Sequence, residues 1–211
     1  MAKKQIKEAN NNIERQETYR NQLGRYKRAM ANGFYFEAMM IVYSMLEDRL
    51  KSFLYYCGFF ASRSTLKLNS KIKQAIIPVV YGEDIPARLP GFDKISAKVL
   101  FIRGMLKWAT DVDGADIQDE AYLSELKRQL ECIDIGGMLE VLDELNDKES
   151  GWLNYRNEII HASLNKNIES LYSEIEEHVI KGMEYARFID DQVRVFRGKP
   201  YVRKMLGLQN N

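Results

Sequence analysis

The sequence is poor in residues that cross-link, ligate or interrupt. Its two cysteines, Cys57 and Cys132, are too few for a disulfide framework and too far apart for a metal knuckle, so both are expected to be reduced and partly buried. There are only two histidines, and no His, Cys, Asp or Glu cluster with metal-ligand spacing; neither a metal nor a cofactor is expected. The run Asp111-Val-Asp-Gly-Ala-Asp116 has the start of a calcium loop but not its later oxygen ligands or terminal glutamate. The most apolar long segment, residues 34–60, is broken by Glu37, Glu47, Asp48, Arg49 and Lys51, which excludes a membrane span. At the N-terminus, Lys3-Lys-Gln-Ile-Lys-Glu8 lacks the apolar stretch of a secretory signal, and a cytoplasmic protein with no membrane partner is the simplest expectation. Proline is also scarce: of four in the chain, three lie between positions 78 and 90.

What is abundant is Leu, Ile, Met, Glu, Lys, Arg and Ala at helical spacing, with few strand signals. This predicts an all-α protein, and 211 residues with 45% hydrophobic content suit a single domain over 1–211. The formal charge of +1 is unevenly spread. Residues 1–32 carry eight Lys or Arg against three Glu, and residues 192–211 carry five basic side chains and no acidic one. Between them, residues 111–149 hold thirteen acidic against three basic side chains. Basic ends could meet anionic ligands; the plainer reading is solvated helix faces, with 198–211 a basic tail.

Along the chain, a helix is expected over 3–31, with Ile6, Ile13, Leu23, Tyr26 and Met30 on a loose apolar stripe, stopped by Asn32-Gly33. The strongest helix is predicted over 34–57, where Ala38, Ile41, Val42, Met45, Leu46, Leu50, Phe53 and Leu54 recur at threes and fours and Gly58 closes it. A helix over 62–77 should end before Pro78, followed by a loop over 79–93. Further helices are expected over 94–110, with Ile95, Val99, Ile102 and Leu106 inward, over 121–133, and over 137–145, the last two separated by Gly136-Gly137. Asn146-Asp-Lys-Glu149 has the form of a capping box opening a helix that runs to about 164. A final helix is predicted over 168–195, with Leu171, Ile175, Val179, Met183 and Ile189 inward, ended by Gly198-Lys-Pro200.

One stretch carries chemical content: Trp152-Leu-Asn-Tyr-Arg-Asn-Glu-Ile-Ile-His161. On a helix, Trp152, Tyr155 and Ile159 share a core stripe, while Asn157 and His161, four apart, stack on another face. Arg156 lies about 100° from Asn157, and its long side chain can swing to the same patch. Given the chain's Arg, Asn and His content, an Arg-Asn pair at this fixed spacing before a His is expected by chance only about 0.01 times.

These residues resemble the signature of the HEPN domain family: an arginine followed by a polar residue, then a histidine a few positions on, near the end of a late helix. Residues 29–47 are similar to the family's early helical hairpin, whose glutamate, here Glu47, often points toward the site. The likeness covers that hairpin and the last 65 or so residues; residues 62–137 read as a helical insertion. The resemblance implies an up-and-down helical bundle and a metal-independent endoribonuclease of the toxin or phage-defence kind. Arg156, Asn157 and His161 would be catalytic and Glu47 and Tyr155 supporting, in a site shared across a homodimer. RNA would be the substrate, and a separate antitoxin chain of nucleotidyltransferase type a partner. This chain has no Gly-Ser pair followed by paired aspartates that would let it be that antitoxin itself.

Each residue also has a plainer reading. His161 could favour the negative end of a helix dipole, and Arg156 could pair on the surface with Glu149 or Glu158. Glu47 could be a solvated charge, and Trp152 and Tyr155 could be core alone. His178, amid Glu174, Glu176 and Glu177, is expected at the surface. A non-catalytic HEPN-like module binding RNA, nucleotide or a protein is the alternative function.

Overall fold

The computed structural model describes residues 12–62, 76–78, 80–81, 91–110, 121–162 and 172–208, and among them the fold is all-α with no strand. Two helices joined by a tight turn open it: α1, Asn12–Ala31, and α2, Tyr35–Tyr56. Gly33 in the turn and Gly58 after α2 have φ of 72° and 86°, the left-handed geometry in which a side chain would be strained. All eight apolar positions predicted to face inward on α2 are buried. α1 runs antiparallel beside α2: Arg25 reaches Glu37 at 2.9 Å, and Tyr19 lies under the Arg49 guanidinium at 4.1 Å. Ile13, expected inside, is 70% exposed, because the face of α1 that meets α2 there carries Arg15 and Tyr19. The predicted residues before 12, Ile6 included, lie outside the described residues.

Five longer elements and one short one follow: α3, Ile95–Thr110; α4, Ala121–Leu130; α5, Ile135–Asn146; α6, Trp152–Ala162; α7, Ile175–Gly198; and α8, Tyr201–Met205. α7 lies parallel to α2 along its length. Contacts between them run in register: Tyr35 to Glu176 (2.7 Å), Arg49 to Asp190 (3.1 Å), and the Phe53 ring edge-on to Phe196. Asp190 also receives Arg194 at 2.8 Å, so this buried carboxylate has cations on both sides. α5 runs antiparallel to α7, and the first turn of α6 packs on α7. Tyr185 bonds Glu144, Gln192 bonds the Asp134 amide, and Trp152 seats against Gly182. The described parts of residues 62–137 share the same core. Phe92 and Phe101 of that region stack edge-on with Phe60 and Phe59, and Ile95, Val99, Ile102 and Leu106 are buried as predicted.

Several local expectations are corrected. Residues 76–78 and 80–81 are helical, so helical geometry includes Pro78 instead of stopping before it; the fixed φ of proline is itself compatible with a helix. Most of the predicted 62–77 helix, the loop after it and the 111–116 run lie outside the described residues, as does Leu171. Gly136-Gly137 does not separate helices. It sits in the first turn of α5, where Asp134 caps the helix by accepting from the Gly137 amide at 2.9 Å. A side chain at Gly137 would meet both the capping Asp134 carboxylate at 2.6 Å and the Phe188 ring at 2.8 Å, so the cap and the packing against α7 together require a glycine there.

The capping box at 146–149 is replaced by a turn. Asp147 accepts from the Glu149 and Ser150 amides at 2.9 and 2.7 Å, and α6 starts only at Trp152. Those amides, that of Ser150 foremost, hold the Asp147 carboxyl below the usual range. Cys57 is buried but Cys132 is exposed, two residues past the end of α4. The basic tail is not a solvated tail: Val202 and Arg203 of α8 are fully buried.

Candidate functional site

α6 is fixed by its inner face. Trp152, Leu153, Tyr155 and Ile159 are buried, and the Trp152 Nε1 donates to the His178 carbonyl at 2.6 Å. Tyr155 stacks flat on the His178 ring, centroids 3.6 Å apart, and burial pushes its phenol up to about 12, with Glu174 adding to the rise. His178 is therefore half-buried and engaged, not a free surface residue; its Nδ1 lies 3.0 Å from the Glu174 carbonyl. Tyr155 belongs to this α6–α7 contact and does not join Arg156.

With that face held, Arg156 turns toward α2. Its guanidinium lies 4.1 Å over the Tyr43 ring, Nη1 donates to Asn157 Oδ1 at 3.0 Å, and Nη2 lies 3.9 Å from the Met40 sulfur. The swing that brings Arg156 and Asn157 together is thus present, and the described contacts of Arg156 are with α2 and Asn157 instead of Glu149 or Glu158. Its Nε is buried without a hydrogen bond among the described residues. Nη1 and Nη2 each carry a second N–H beyond these two contacts. Asn157 and His161 are both exposed, one helical turn apart on α6.

Glu47 stands one turn after Tyr43 on α2 and accepts from Lys98 Nζ at 3.0 Å. Lys98 is fully buried, and its ammonium also lies 3.5 Å from the Asp93 carbonyl. Burial raises the Tyr43 phenol; Arg156 opposes that rise and Glu47 adds to it. The structure thus gathers Arg156, Asn157 and Glu47 around Tyr43, places His161 on the outer side of α6, and leaves Tyr155 behind it.

Tyr43, Met40 and Lys98 escaped the sequence reading, although signals existed. Met40, Tyr43 and Glu47 are spaced three and four apart, which sets them on one stripe of α2. Lys98 occupies the predicted inner stripe of α3, three residues after Ile95 and four before Ile102, a position where a lysine needs a partner.

Beside Asn157 a groove of about 560 Å³ opens between α2, the start of α3 and the turn before α6. Tyr43, Ile95 and Leu153 give it apolar walls, and Lys94, Lys148, Asn146, Asn154 and Ser96 polar ones, with Asp93 and Asp147 also present. Among the described residues no group of three or more His, Cys, Asp or Glu is gathered as a metal site, and no helix is long and apolar enough to cross a membrane. Comparisons with protein-family models, curated proteins and solved structures find no match for this chain.

Proposed function

We propose that this chain is a cytoplasmic, metal-independent endoribonuclease of the HEPN kind, acting as a toxin or phage-defence effector. The observation that carries the proposal is the pairing of Arg156 with Asn157 next to an exposed His161 one turn further along α6. RNA brings its own nucleophile. A base removes the 2′-hydroxyl proton, that oxygen attacks the adjacent phosphorus, and an acid protonates the departing 5′-oxygen, leaving a 2′,3′-cyclic phosphate and a 5′-hydroxyl. An imidazole titrates in the range either task needs. The second N–H groups on Nη1 and Nη2 of Arg156 suit two phosphate oxygens and the charge that builds on them, and Tyr43 steadies the guanidinium from behind. Glu47, held by buried Lys98, is a positioning residue for that Arg–Tyr stack.

A second reading, a non-catalytic module that binds RNA or nucleotide, is favoured by the mixed polar and apolar groove beside Asn157. The two readings part in one experiment. Wild type and His161→Ala are incubated with RNA in EDTA, and the products are examined for 2′,3′-cyclic ends. Cleavage by wild type, reduced about 10²- to 10⁴-fold in the variant, is expected. Equal cleavage by both removes His161 from the mechanism, and binding without cleavage favours the second reading. If the chain is a toxin, its antitoxin is a separate chain, with a nucleotidyltransferase the type expected.

A further inference from the structure

The inner face of α8 is pinned. Arg203 donates to the Tyr55, Phe60 and Ala61 carbonyls at 2.8, 2.9 and 3.2 Å, and its guanidinium lies 3.6 Å over the Tyr55 ring. Just before α8, the Lys199 carbonyl accepts from Gln129 Nε2 at 2.7 Å. This anchoring turns Tyr201, Lys204 and Met205 outward. Together with Lys199, Arg128 and Glu125 they line a groove of about 510 Å³ between α4 and α8. Tyr201 is 46% exposed. The charged ends of Arg128 and Lys204 lie 5.7 and 5.9 Å from its ring centroid, at the outer limit of a cation–π contact, so the ring is flanked by cations without being covered. Glu125 is the one acidic residue in the lining, and it is engaged by Arg128 through bonds of 2.9 and 2.7 Å. Lys199 and Lys204 are left as its net positive charge.

We propose that this groove is a binding surface for single-stranded RNA, separate from the Arg156 cluster. A base stacks on Tyr201 while Lys199 and Lys204 neutralise the flanking phosphates, the combination of aromatic platform and cations that single strands require. The two surfaces are related through α2: Arg156 lies over Tyr43 and Arg203 over Tyr55, twelve residues or ~18 Å further along the same helix. The choice of RNA as occupant rests on the function proposed above, whereas the geometry of the groove does not.

The test uses the full chain carrying His161→Ala, so that RNA stays intact, and a fluorescent oligouridylate read by anisotropy across a salt series. Tyr201→Ala should weaken binding by roughly tenfold. Lys199→Gln with Lys204→Gln should flatten the log–log salt slope by ~1.4. Thermal unfolding checks that both variants remain folded; a variant that unfolds is replaced by Tyr201→Ser or by the single Lys204→Gln change, read in the same way. Affinity and slope unchanged in the folded variants would overturn the proposal, as would a preference for a polyglutamate peptide over RNA. If Arg156→Ala abolishes RNA binding while the groove variants do not, the ribonuclease reading stands and this surface falls. If no variant and no parent binds RNA, both fall.

Discussion

At the scale of single residues, the hydrogen in place of a side chain at Gly182 sets how closely α6 approaches α7. A Cβ there would come within 2.6 Å of the Trp152 indole. Alanine would gain about 1 kcal/mol of helix propensity, but overpacking a filled core costs about 1–3 kcal/mol. Displacing the indole would also loosen its bond to the His178 carbonyl, worth about 1 kcal/mol. Gly182→Ala is therefore expected to lower stability by about 1–3 kcal/mol in denaturant unfolding. It should also reduce RNA cleavage, since Trp152 lies one turn before Arg156 on the same helix. A more stable variant would show that the two helices have room to spare. The core stripe of Trp152, Tyr155 and Ile159 was legible because it depends only on helical spacing. The direction taken by Arg156 was not, because the ring it rests on, Tyr43, comes from a helix far upstream in the chain.

At the scale of elements, α2 was legible almost to the residue: its apolar period is sustained over 22 residues and glycines stand at both ends. Where partners outside the element decide, local pattern does not predict the outcome. Gly136-Gly137 looks like a break locally, yet Asp134 caps it and the Phe188 ring fills the space a side chain would need. Asp147 looks like a helix cap, yet it closes a turn that delays α6 to Trp152. The largest difference is α8, read as a solvated basic tail because charge pattern alone does not reveal that Arg203 faces the open carbonyls after α2. That contact yields a direct test. Arg203→Met keeps much of the volume but removes the Arg203 donor from the Phe60 and Ala61 carbonyls, while the Tyr55 carbonyl keeps the Gly58 amide at 3.0 Å. An unsatisfied buried acceptor costs about 1–3 kcal/mol, so a loss of about 3 kcal/mol is expected in chemical denaturation, with α8 opening first in hydrogen exchange. A methionine variant as stable as the parent would mean that solvent reaches those carbonyls freely.

At the scale of the whole molecule, the proposed chemistry needs more than one chain supplies. Cleavage by 2′-hydroxyl attack asks for a base and an acid on opposite sides of the phosphate, and His161 is the one histidine on the Arg156 side of α6. His178 is committed to the Tyr155 stack behind it. Asn157 and His161 face outward, so a two-fold axis passing beside α6 would set two such faces against each other and complete the set with the copy's own residues. The expected outcome is a dimer by light scattering in the presence of RNA. A mixed dimer of wild type and His161→Ala, isolated through two different tags, should retain less than half the activity of the wild-type dimer, because the shared site would then hold one histidine instead of two. Half the activity or more would mean that each chain works alone, and a strict monomer with RNA bound would remove the shared site altogether.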